Sequence, residues 1–361
     1  MYRIHTHLWL LLLAAMTIGL VAAACSDDDD GEATTAALDF TGQTLTVITH
    51  DSFAISEATI ASFEEEYGVT IALLPTGDAV ESLNRAILTK SNPEGDLLFG
   101  VDNISYVRAL AEDLFVEYES PALRNVDDRW VFDDSGTITP IDYGYVLFNY
   151  EKAALDAADL EPPTSLEALL DPAWDGRVAV QDPNTSSPGL QFMLATIARF
   201  GDGWLNWWEG MRANGLIVTA SWTDAYYTRF SQYGGDAWLV NSYATSPPAE
   251  VIFAETELDE SPTGNVIIPD VSYLQIEGVG ILRNSDRIEL AKKFVDHMLS
   301  QAFQEDIPLN MFVYPVHRDA ALPDAFLRFA DIPVTVASID PDEVQANLED
   351  WLDAWTDTVV R

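Results

Sequence analysis

Leu45-Thr46-Val47-Ile48-Thr49, with the sixty residues around it, decides the fold. The string is short, apolar and β-branched, as a buried strand requires. It runs into His50-Asp51-Ser52, which can cap a helix carrying Ile55, Thr59, Ile60, Phe63 and Tyr67 at helical spacing. Gly68 stops that helix and residues 69–74 form the next strand. Asp78 opens a helix with Val80, Leu83, Ile87 and Leu88, and residues 96–100 form a third strand. Strand alternating with helix is the pattern of a parallel sheet. Ligands of such sheets gather at the strand C-terminal ends, here residues 49–53, 75–79 and 100–105.

Working outward, residues 138–150 are an extended apolar run that leaves this first lobe. Residues 177–181 and 238–242 read as core strands of a second lobe, with helices at 188–200 and 203–213 between them. Residues 273–282 return to the first lobe and a helix over 286–300 follows. Val344, Leu348, Trp351, Leu352 and Trp355 fall at helical spacing in the tail, and packing in a core accounts for both tryptophans. About 320 residues exceed what one hydrophobic core usually serves, so two lobes are expected. The fold class is therefore α/β with two lobes. Lobe 1 takes residues 39–140 and 275–361, and lobe 2 takes residues 141–274.

The start of the chain has a different character. Arg3 precedes an apolar run over residues 8–20, shorter than the roughly 20 residues a spanning helix needs. Small residues then lead to the single cysteine in Val21-Ala22-Ala23-Ala24-Cys25. Residues 1–24 read as a lipoprotein signal peptide with Cys25 as the lipidation site. Residues 25–38, with their run of aspartates, are too polar to bury and form a flexible tether. The expected location is outside the cytoplasmic membrane, held by lipid. With Cys25 lipidated the remainder has no thiol for a disulfide, a metal or a nucleophile.

The net charge of −41 is spread along the chain, with only 18 Lys and Arg against 59 Asp and Glu. That excludes nucleic acid and anionic lipid as electrostatic partners, since both require basic patches. Nucleophile elbows, P-loops and His-Glu-x-x-His strings are missing too, so neither an enzyme nor a metal centre is expected.

Two segments share one construction. Gln181-Asp182-Pro183-Asn184-Thr185-Ser186-Ser187-Pro188-Gly189 and Ser242-Tyr243-Ala244-Thr245-Ser246-Pro247-Pro248 each follow a strand and end in Ser-Pro. Serine caps helices and proline suits the first turn, so each aims a helix N-terminus at the mouth of the second lobe. Such ends accept an anion without a basic side chain. Taken alone, each is also an ordinary helix cap. A second constellation is aromatic: Trp222, Tyr226 and Tyr227 in a polar loop, Tyr243 after a strand, and Phe312 and Tyr314 near the return. With Asp78, Asp142 and Asp224 nearby, these rings suit a flat cationic ligand.

The strings His50-Asp51-Ser52-Phe53, Ser82-Leu83-Asn84-Arg85, Ile141-Asp142-Tyr143-Gly144-Tyr145, Tyr273-Leu274-Gln275-Ile276-Glu277 and the two Ser-Pro segments resemble the thiamine-binding proteins of bacterial ABC importers. The resemblance runs from about residue 45 to the C-terminus. It implies a periplasmic-binding-protein type II fold, two α/β lobes joined by two crossing strands. It implies capture of thiamine, its monophosphate or its pyrophosphate, with delivery to permease and ATPase subunits. Carried over by position, the ligand contacts are Asp78, Ala79, Ser186, Ser187, Trp222, Tyr243, Ala244, Thr245 and Ser246, with Asp51, Asp142, Tyr226 and Phe312 as further candidates. Ala79 stands where glycine is usual, Ala244 where threonine is common, and Phe312 where a tryptophan can stack. A monomer is expected of a closing trap. Ferric iron is the rival ligand, through Tyr226-Tyr227, and a surface phosphatase is the rival class.

Overall fold

The computed structural model describes residues 38–361, and residues 40–361 form one compact unit. The expected signal peptide, Cys25 and all but the last residue of the tether lie outside the described residues. Among those described, no helix is long and apolar enough to cross a membrane.

Ten strands make a single mixed sheet: β1 (Thr44–Thr49), β2 (Thr70–Pro75), β3 (Leu97–Asp102), β4 (Ile138–Glu151), β5 (Val178–Gln181), β6 (Ile217–Thr219), β7 (Leu239–Tyr243), β8 (Thr263–Val266), β9 (Tyr273–Ile281) and β10 (Tyr314–Pro315). The order is β2-β1-β3-β9-β4-β7-β5-β6, with β8 and β10 also on β4. At one end β2, β1 and β3 are parallel; at the other β7, β5 and β6 are parallel. Between them β9 and β4 run antiparallel to each other and to their outer neighbours. Both parallel ends lie where the alternation of strand and helix predicts them. The hydrogen-bonded joining of the two ends through β4 and β9 is a long-range pairing that no local pattern reveals.

Local chemistry sets the helix ends. Gly68 adopts φ 67°, the left-handed conformation glycine reaches most easily, and ends the helix Glu57–Tyr67. That helix begins at Ser56, whose hydroxyl accepts from the Thr59 N–H, so His50-Asp51-Ser52 is a connecting turn and not its cap. Asp78 does cap the helix Ala79–Leu88, its Oδ1 accepting from the Ala79 N–H at 2.6 Å. The aromatic segment is helical: residues Trp222–Asp224 continue into a π-turn over Ala225–Arg229, where a polar loop is expected from sequence.

One hydrophobic core gathers around β1, β3 and the helix Ile288–Met298, with Phe63, Phe99 and Phe294 buried in it. His297 joins this core edge, half-buried against Phe63 and Phe294. A separate core surrounds β5, Phe192, Trp207 and Trp208. The C-terminal helix Pro341–Val359 packs here, Trp355 lying fully buried with its ring 5.5 Å from that of Trp208. Thr358 O accepts from Arg212 and Thr356 Oγ1 from Asn184. The tail's apolar stripe thus packs on the tryptophan-rich core around β5.

Candidate functional site

Where β4 and β9 cross between the two ends of the sheet, a cavity of about 640 Å³ opens. Its size and its mix of aromatic, hydroxyl and carboxyl groups suit a small organic ligand. None of its described lining residues is lysine or arginine.

One wall comes from the two Ser-Pro segments. Ser186 and Thr245 stand at the caps of the helices Ser187–Phe200 and Ser246–Ile252, which follow β5 and β7 with proline in the first turn of each. Ser187 and Ser246 line the cavity. The hydroxyls of Ser186, Ser187 and Thr245 are buried with no hydrogen-bond partner; of the three Ser187 lines the cavity, and Ser186 faces Asp78 behind it. Beneath, the amides of Gln181 and Asn241 bond across β5 and β7, and Asn241 Nδ2 also donates to Pro188 O at 2.9 Å. The two segments are therefore held in register by a shared amide pair. Gly189 is required here, because a Cβ would meet Gln181 O at 2.6 Å.

The aromatic wall follows. Trp222 stacks on Tyr226 with ring centroids 5.1 Å apart and lies 6.3 Å from Tyr243. Its Nε1–H donates to Ser242 Oγ, which lies 2.9 Å from Ser246 Oγ. Its backbone N–H donates to Asp78 Oδ2 at 2.8 Å, so the cap of a first-half helix also fastens the second half. Burial raises Asp78 to about 6, opposed by those two backbone donors. Thr223 adds a weaker fastening, its hydroxyl donating to Asp51 at 3.2 Å. Farther along, Tyr226 and Tyr233 donate to Glu250, and Phe312 closes the wall edge-on to Phe253.

The floor is acidic. Glu277 on β9 lies directly opposite Asp102 on β3 and Asp142 on β4, so the three side chains share one face. Asp102 is saturated by the N–H groups of Ile104 and Ser105 and by Gln191. Asp142 is buried with neither oxygen partnered in the ionised form. Burial first, and then the neighbouring carboxylates, hold Glu277 well above the usual carboxylate range; burial likewise raises Asp142. His50, lowered to about 4 by burial, places its Nε2 3.7 Å from Glu277 Oε1 and is neutral at pH 7.

Of the residues expected from sequence, Asp51, Asp78, Ala79, Ser187, Trp222, Tyr226, Tyr243, Ser246 and Phe312 line this one cavity. Ser186, Ala244, Thr245 and Asp142 lie fully buried behind its walls, and Asp224 is outside it. Sequence reasoning did not single out Glu250, Gln275 or Glu277 as site residues. For Glu277 the only signal lay in the returning strand, an acidic residue in an otherwise apolar run.

Two parallel ends, two crossing strands and a cavity between them define an α/β protein that encloses a small solute. The chain belongs to the bacterial extracellular solute-binding proteins, whose family model matches residues 95–340. It is 34% identical over 328 residues to the thiamine-binding periplasmic protein of Salmonella typhimurium strain LT2, covering 89% of this chain and 95% of that one. A solved periplasmic thiamin binding protein superposes with a TM-score of 0.78 at 32% identity, covering 88% and 96%. At 24% identity, iron uptake protein A1 of Synechocystis strain PCC 6803 aligns over 78% of each chain. The fold is the two-lobed type II arrangement expected from sequence.

Proposed function

We propose that this protein captures thiamine or a thiamine phosphate outside the cytoplasm and hands it to the permease and ATPase subunits of an ABC importer, as a monomer held by lipid on Cys25. The observation that carries the reading is the polarity of the cavity: unpartnered hydroxyls at one wall, carboxyls at the floor and aromatic rings between. Thiamine phosphates bear an anion, two flat rings and a fixed positive charge in one molecule. Kinship with thiamine-binding periplasmic proteins supports the same ligand.

In this reading Trp222 and Tyr243 hold the rings, and Asp78 with Ala79 meets the aminopyrimidine. Ser187 and Ser246 receive phosphate first, with Ser186, Thr245 and the backbone of Ala244 behind them. The site binds and releases, with no step of chemistry. Calorimetric titration of protein refolded free of ligand, with thiamine and its two phosphates, tests this. Tight one-to-one binding is expected, with the phosphate esters favoured; no heat with any of the three overturns it.

Ferric iron is the second reading, and one observation favours it: Tyr226, Tyr233 and Glu250 converge their oxygens within 3 Å. A tyrosinate-to-iron absorption band on adding ferric citrate would decide for iron.

A further inference from the structure

Glu277 and Asp142 form a buried carboxyl pair that no basic side chain neutralises. The ionisable groups facing Glu277 are His50 from the end of β1, Asp78 from the helix cap, Asp102 from β3, Asp142 from β4 and Tyr243 from β7. Asp51 faces Asp78 beyond them. All are acidic or neutral. Two more atoms are left without partners: His50 Nε2 and Gln275 Nε2 are buried and unbonded, and both residues line the cavity. Ser52 Oγ lies 2.9 Å from His50 Nδ1, so a hydroxyl donating there leaves the ring proton on Nε2, on the Glu277 side. A carboxyl set of this kind, apposed to aromatic walls, lacks a positive charge.

We propose that Glu277, backed by Asp142, is the seat of the ligand's positive charge, and that an organic cation entering the cavity displaces the proton the two carboxyls share. This rests on the thiamine reading and adds to it a residue and a stoichiometry. In the empty site the proton lies on Glu277 and is donated to Asp142, as two like charges so close cannot both persist without cost. When a quaternary cation arrives, the O–H bond of Glu277 breaks, the proton leaves to solvent, and the carboxylate pair faces the cation. No atom of the ligand is altered. Proton and cation compete, so affinity rises with pH until the pair is already ionised.

The test is calorimetric titration of thiamine into the refolded full chain at pH 7, in two phosphate-free buffers of unlike ionisation heat. Release of about one proton per thiamine bound is expected from the linkage. Glu277→Gln should abolish that release and weaken binding by roughly 10- to 100-fold. Asp142→Asn should reduce that release and weaken binding less than Glu277→Gln does, because one like charge beside Glu277 is gone while burial still raises it; a merely structural role for the pair predicts no such split. An unchanged melting temperature establishes that each variant is folded, and should Glu277→Gln fail to fold, Asp142→Asn alone carries the test. Thiamine binding without proton release overturns this proposal and leaves the thiamine reading standing. Release that persists undiminished in either variant also overturns it. No binding of thiamine at all overturns both.

Discussion

The hydroxyl wall and the acidic floor border one cavity and are made in opposite ways. The wall is local: each half follows a strand by a few residues, and cap, proline and helix lie consecutively in Thr185-Ser186-Ser187-Pro188 and Ala244-Thr245-Ser246-Pro247. The floor is non-local: Asp102, Asp142 and Glu277 meet only because three distant strands pair. Each leaves polar atoms unsatisfied, the hydroxyls of Ser186, Ser187 and Thr245 at the wall and the Asp142 carboxyl with His50 Nε2 and Gln275 Nε2 at the floor. In the proposed reading, a ligand carrying both charges meets hydroxyls and carboxyls at once, which a field of one sign does not offer.

The largest effect is expected from collapsing the wall. Gly189→Leu drives a side chain into the Gln181 backbone, and overpacking at so tight a contact costs about 1–3 kcal/mol or more. Binding of thiamine pyrophosphate should be lost and thermal denaturation should shift downward. An unchanged melting temperature would show that the Ser-Pro helix does not need this close approach.

Next comes the aromatic bridge between the two. Trp222→Ala should weaken all three thiamine compounds alike, by about 1–3 kcal/mol in a titration. A loss confined to the phosphates would assign Trp222 to positioning Ser242 and Ser246 through its Nε1–H.

Asp78 joins the halves and supplies a pH dependence. Its carboxyl is raised to about 6 when folded, chiefly by burial, so between pH 4 and 6 the folded chain keeps a proton the unfolded chain has lost. Asp78 therefore subtracts from stability as pH rises through that window. Protonation below pH 6 conversely weakens the acceptor for the Trp222 N–H. Asp78→Asn keeps a helix cap but has one acceptor oxygen for two donors. It should melt higher at pH 7 and bind ligand more weakly, with the acid-side decline in affinity near pH 6 reduced. A variant that melts lower would show that the fastening outweighs the burial.

The smallest effect sharpens the comparison most. Ser187→Ala removes one hydroxyl from the wall, worth about 1 kcal/mol for a hydrogen bond to ligand. The pyrophosphate should bind several-fold less tightly while thiamine itself is unaffected. Equal losses for both would remove Ser187 from the phosphate site.

What the sequence made legible divides along the same line. Asp78 and Gly68 do the capping and stopping expected of them, and the Ser-Pro helices begin where the strings place them, because each depends on neighbours within four residues. Trp222 to Tyr227 misled, since polar spacing resembles a loop while stacking of Trp222 on Tyr226 favours a helical turn. The C-terminal helix was visible as a helix, but not the core it joins, as a stripe of Leu and Trp fits any apolar surface. Glu277 was hidden most thoroughly: its meaning lies in the residues across from it, which periodicity along one strand cannot report.

The position of β9 has a consequence for how the molecule is made. It is the ninth strand synthesised, yet it stands in the middle of the sheet between β3 and β4. Until it arrives, both neighbours keep a bare edge, and bare edges pair with whatever strand is nearest. A chain made N-terminus first therefore passes most of its synthesis without the strand that completes either side, and closing so long a loop is slow. The insertion that joins the two ends of the sheet also carries in Glu277, so the binding floor and the joined sheet come into being in the same event.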